Sequence, residues 1–153
     1  PILLTSVGQS ADVEMVKTML ERAELSPKVD KVADPSAIGD AKTLVLAIGG
    51  SSKGLGAAGI DADQELTRVQ GLIAAADEQG LTIIAVHVGG EARRGELSDK
   101  FIGPSFEKAD YAVVVAEGDK DGMMSGLASD KGIPIAIVDS MADVIEPLKA
   151  AFK

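Results

Sequence analysis

The sequence contains no cysteine and no tryptophan, and only one histidine and one tyrosine. Without cysteine there are no disulfides, no Cys-ligated zinc, no iron–sulfur cluster and no thiol nucleophile, and the redox compartment is left open. A single histidine with no HxxH-type partner makes no transition-metal site. No apolar run approaches the ~20 residues of a membrane helix, so membrane insertion is not expected. Positive charge is scarce as well: 15 Lys and Arg face 24 Asp and Glu, for a net charge of -9. Such a chain is poorly suited to general nucleic-acid binding, which depends on neutralising phosphates, and anionic lipid would repel it.

What is present is apolar. Hydrophobic residues make up 46% of the 153, enough for a real core and far from a disordered composition. Residues 1–153 show no internal repeat, linker or low-complexity segment, and are expected to form a single α/β domain.

Apolar runs alternate with helical patterns. Ile2–Val7 reads as a strand. Ala11–Ala23 carries Val13, Val16, Met19, Leu20 and Ala23 at helical spacing, with Ser10 as its predicted N-cap. Lys28–Ala33 is a weaker, edge-like strand, Pro35–Asp40 a short helix, and Thr43–Ile48 a strongly apolar strand. A glycine-rich loop is expected from Gly49 to Gly59. Asp61 and Gln64 then form a capping box for a helix with the stripe Leu66, Val69, Leu72, Ile73 and Ala76, ended by Gly80. Leu81–Val88, Tyr111–Ala116 and Ile133–Val138 read as further strands. Glu96–Ile102 is a helix predicted to break at Gly103 and Pro104 and to resume over Ser105–Ala109. Gly122–Lys131 is a short helix, and Ser140 caps a last one. The five methionines lie on helices and read as core filling.

Six strands that are continuous apolar runs, with helices between them, predict a three-layer, doubly wound parallel sheet of flavodoxin-like or Rossmann-like type. The expected order is 2-1-3-4-5 with a sixth strand appended, the first strand central and the second at an edge. The order 3-2-1-4-5-6 is the alternative. Either one places a ligand crevice outside the carboxyl ends of the strands, where the winding reverses.

The loops at those ends carry the candidate site. Gly8-Gln9-Ser10 follows the first strand, Gly49 through Gly56 the third, and Gly89 through Gly95 the fourth, with His87 on the strand itself. Glycine frees backbone N–H groups to approach a ligand, and hydroxyls and cations accompany it. The ligand-binding candidates are Gln9, Ser10, Gly50, Ser51, Ser52, Lys53, Gly54, Gly56, His87 and Arg93. In this reading the backbone of residues 50–56 with Ser51, Ser52 and Lys53 holds a carboxylate, phosphate or sulfonate. Gln9 and Ser10 face it, and His87 and Arg93 close the site. The opposing reading is ordinary turn glycines with solvated charges.

Cofactor motifs are misplaced. Gly54-Leu55-Gly56-Ala57-Ala58-Gly59 fits GxGxxG but follows the third strand rather than the first, and Tyr111 lacks a Tyr-x-x-x-Lys partner. Ser6-Val7-Gly8-Gln9-Ser10 loosely fits a flavodoxin phosphate loop, but stacking aromatics are lacking. No cofactor and no metal are expected. Asp119 and Asp121 read as a turn with an acidic helix start.

Three segments, Thr5 to Asp12, Gly49 to Asp61 and His87 to Phe101, resemble a bacterial family described only as a domain of unknown function. The resemblance covers nearly the whole chain and implies a small α/β domain. It brings no activity, substrate or catalytic residue. Family members often carry an export signal. No signal peptide is read at the start of this sequence, and whether one was removed before Pro1 is left open. The resemblance tilts the expected localisation away from the cytoplasm. The leading functional expectation is binding of a small anionic metabolite. The alternatives are a small enzyme with His87 as acid or base, or a self-assembling structural protein. Self-association through the helices flanking Pro104 or through an edge strand is a further expectation.

Overall fold

The computed structural model describes residues 1–152. The apolar runs become β1 (Ile2–Val7), β2 (Pro27–Val29), β3 (Thr43–Ile48), β4 (Thr82–His87), β5 (Tyr111–Val115) and β6 (Ile135–Val138). Between and after them run α1 (Asp12–Arg22), α2 (Ser52–Ala58), α3 (Ala62–Glu78), α4 (Glu96–Phe106), α5 (Met123–Lys131) and α6 (Ile145–Ala151). All strand pairs are parallel, in the single order β2-β1-β3-β4-β5-β6. This is the expected flavodoxin-like order with a sixth strand, and β2 is at the edge.

The alternation of side chains along each strand makes the layers. Leu3, Val7, Leu44, Leu46, Ile83, Ala85, Ala112 and Val114 face α3, α4 and α5. Leu4, Val45, Ala47, Ile84, Val86 and Val113 face α1 and α6. Continuous apolar strands are the consequence of helices on both faces.

Several local expectations are corrected. The stretch Gly49–Gly59 is not a loop throughout: Ser52–Ala58 is helical, because Ser51 accepts the Gly54 N–H (3.0 Å) as an N-cap and Gly59 ends the helix at φ 73. Helix α4 does not break at Pro104. Buried Phe101, Ile102, Ser105 and Phe106 hold it on both sides of the proline, and the carbonyl left without an amide partner belongs to exposed Lys100. The N-cap of α1 is Ala11, although the Ser10 hydroxyl still accepts the Asp12 N–H at 3.2 Å. Strand β2 stops at Val29, since Asp30 turns the chain by accepting the Val32 and Ala33 amides. Met15 is solvent-exposed rather than core. Among the described residues no helix is long and apolar enough to cross a membrane.

Candidate functional site

The winding reverses between β1 and β3, and here the two following loops are zipped by main-chain bonds. Gly49 N–H donates to the Val7 carbonyl (2.9 Å), Ser10 N–H to Gly49 (3.1 Å) and Ser51 N–H to Gly8 (2.9 Å). Gln9 and Gly50 form an isolated antiparallel bridge. Gly8, at φ 108, is required: a Cβ there would overlap the Gly49 carbonyl. The open concavity is therefore not between the strand ends but beside them. It is a groove of about 580 Å³ lined by Gln9, Ser10, Lys31, Ser51, Lys53 and Gly54, among others. The β1 and β2 loops form one wall and α2 the other. Lys53 is exposed, and Lys31 pairs with Glu14 at 2.8 Å.

Beneath the groove lies a buried charge network. Glu65, on α3, is 0% exposed. Its carboxylate accepts the Gly8 N–H (2.9 Å), Gln9 Nε2 (2.8 Å) and Arg68 Nε (2.7 Å). Arg68 also donates to the Ala33 carbonyl (2.8 Å), to Thr5 Oγ1 (3.1 Å) and to the Ser6 carbonyl. Burial pushes the Glu65 carboxyl up, but the bonds from Arg68, Gln9 and Gly8 outweigh it and hold it below the usual range. The network ties the β1 end, the Ala33 turn and α3 into one unit.

A second cluster lies over β4. Arg93 donates to Asp12 (3.3 Å), and its stem and the Asp12 carboxylate leave no room for a Cβ at Gly89, while Ser10 Oγ, with the Arg93 stem beside it, leaves none at Gly49. His87 is 0% exposed. Its Nε2 lies 2.8 Å from the Arg93 carbonyl, which can only accept, so Nε2 carries the proton. Nδ1 is left with a lone pair against Gly118 and no partner. Arg94 clamps the next loops together by bonding Asp99 (2.7 Å), Asp121 (2.8 Å) and the Gly118 carbonyl (2.8 Å). The Arg94 guanidinium holds the Asp121 carboxyl down to about 2. Asp119 caps α5 through the Met124 and Ser125 amides, as its expected turn role requires.

The family model described as a domain of unknown function, DUF6305, matches residues 1–152. The chain belongs to the DUF6305 family. No curated protein matches it, and no solved structure does.

In this DUF6305 chain, Gln9, Ser10, Ser51, Lys53 and Gly54 share the groove. His87 and Arg93 are not among its lining residues. Ser52 and Gly56 are exposed on α2. The amides of Gly50, Ser51, Gly54 and Leu55 are bonded to Ser98 Oγ, Gly8, Ser51 Oγ and the Ser51 carbonyl. They do not wrap an anion in the way an open loop would. Glu65, Arg68 and Lys31 are not singled out by sequence reasoning. The available signal was a carboxylate at position 65, on the helical stripe of Val69, Leu72 and Ile73, with arginine three residues on.

Burial pushes the His87 imidazole below the usual histidine range, despite the Arg93 carbonyl and Asp12 acting to raise it. The unfolded chain then takes up a proton near pH 6.5 while the folded chain does not, so stability falls as pH drops from the unfolded value toward the lower folded one. The expected slope from this group is at most about 1.4 kcal/mol per pH unit. Urea unfolding at pH 7.5 and 5.5 is expected to show a larger loss for the native chain than for His87→Gln. Equal losses would contradict the assignment of a neutral, buried imidazole.

Proposed function

We propose that the DUF6305 chain binds a small anion (a carboxylate, phosphate or sulfonate) in the groove beside the β1 and β3 ends. The carrying observation is the meeting of exposed Lys53 with Ser10, Ser51 and Lys31, the last paired to Glu14, in one concavity of a protein with net charge -9. Among the described residues Lys53 has no carboxylate within ion-pair distance. In this reading Lys53 supplies the main charge and the serines supply hydroxyl donors. Arg93 does not contribute directly, since it is engaged by Asp12. The enzymatic alternative has less support, because its acid or base, His87, is sealed under the Arg93 carbonyl. The expected self-association has one feature in its favour, Ile137 on the edge strand β6, which is 49% exposed.

Calorimetric titration with phosphate, carboxylates and sulfonates tests the reading. A charge-assisted hydrogen bond contributes about 1.5–3 kcal/mol, so Lys53→Ala is expected to weaken binding by roughly tenfold to a hundredfold. Lys53 is exposed, so its loss is expected to leave the fold intact. Unchanged affinity in Lys53→Ala would remove the proposal.

A further inference from the structure

Gln9 is held from every side. It occupies the left-handed region at φ 66, which a non-glycine residue adopts only when its surroundings compel it. Its N–H donates to Ser6 Oγ at 3.0 Å, its main chain bridges Gly50, and its carbonyl oxygen sits where a Gly54 side chain would begin. The side chain is equally constrained. Nε2 donates to the Lys31 carbonyl at 2.7 Å and to Glu65 Oε2 at 2.8 Å. Both of these partners only accept, so the amide orientation is settled and both N–H bonds are used.

One group remains. Among the described residues no donor reaches Gln9 Oε1. The only sealed side-chain polar atom without a partner there is His87 Nδ1, so Gln9 Oε1 is open to the groove that Gln9 lines. The residue is 9% exposed. A nearly buried glutamine thus offers the groove a fixed acceptor and no donor. A carbonyl oxygen repels a bare anion and favours an O–H or N–H beside it.

Resting on the anion-binding reading above, we propose that Gln9 is the specificity-determining residue of the groove. Its Oε1 selects small anions that carry a hydroxyl or amino donor next to the charged group, such as hydroxy acids and amino acids or aminosulfonates, over their unsubstituted analogues. Lys53 and the serines recognise the anion, and Gln9 recognises the substituent.

Matched ligand pairs test this on the native chain by titration of its ¹H–¹⁵N spectrum: lactate against propionate, malate against succinate, and 2-aminoethanesulfonate against ethanesulfonate. The substituted member of at least one pair is expected to bind tighter, by about threefold to tenfold where the donor is a hydroxyl, the contribution of one neutral hydrogen bond, and by about tenfold to a hundredfold where it is the ammonium of 2-aminoethanesulfonate, a charged donor. The hydroxy-acid and amino-sulfonate pairs distinguish the two donor types. Equal affinity within every pair overturns the role of Gln9 while leaving the anion site standing. Absence of binding by all members overturns both. In Gln9→Met the preference is expected to vanish, and a preference retained in a folded Gln9→Met chain also overturns the proposal. Where that variant does not fold, the native comparison decides.

Discussion

Arg68→Ala is expected to lower the stability of the chain by about 3–5 kcal/mol, the range for removing one partner of a buried ion pair. The substitution strands the Glu65 carboxylate in a fully buried position. It also removes the donors that satisfy the Ser6 and Ala33 carbonyls. These main-chain bonds distinguish the pair from one that apolar residues can replace. Converting Glu65 and Arg68 together to methionine is not expected to restore stability, because the Gly8 N–H and both carbonyls lose these partners and Gln9 Nε2 loses one of its two acceptors. Urea denaturation of the single and double variants measures this. A loss below about 1 kcal/mol for Arg68→Ala, the level of an exposed pair, would show that the network is not the structural support described.

The second large effect is a reversal of sign within one short helix. Alanine is a better helix former than glycine by about 1 kcal/mol. At Gly56 a Cβ meets nothing within 4 Å, so Gly56→Ala is expected to stabilise by about 0.5–1 kcal/mol. At Gly54 a Cβ would overlap the Gln9 carbonyl oxygen, which is main chain and cannot swing aside. Gly54→Ala is expected to destabilise by about 1–3 kcal/mol, as overpacking does. It also pushes α2 away from the β1 loop and so disturbs the groove. Thermal unfolding of both variants reads the difference. Shifts of the same sign would mean that α2 and Gln9 are not in the close contact described.

The fold is largely readable because its signals are local and repeated. Strands such as Thr43–Ile48 and Thr82–His87 are apolar on both faces, and Asp61 with Gln64 marks a helix start without reference to anything distant. What escapes reading depends on contacts far apart in the chain. The glycines of Ser52–Ala58 suggest a loop until Gln9 is seen pressing on Gly54. Pro104 suggests a break until the packing of Phe101, Ile102 and Phe106 outweighs one missing amide. The site divides in the same way. Ser10, Ser51 and Lys53 do meet in one groove, because short loops after adjacent strands must. The same logic groups His87 and Arg93 with them. Asp12 captures Arg93, however, and the chain folds over His87. Neither partner is evident from spacing. Glu65 looks like an ordinary surface acid of a helix until its register with Val69 and Leu72 is noticed, and only the fold shows that it carries the Gly8–Gln9 turn.

The most direct test of the anion groove is a titration of the ¹⁵N-labelled chain with phosphate, a carboxylate and a sulfonate, following each backbone amide. A second, more apolar groove lies between α3 and α4, lined by Ile73, Ala74, Gly103 and Pro104 among others. The account predicts saturable shift changes concentrated at Ser10, Ala11, Lys31, Ser51, Ser52 and Lys53, with His87 and this second groove little affected. Saturable changes centred on that second groove, or none anywhere with all three anions, would contradict it.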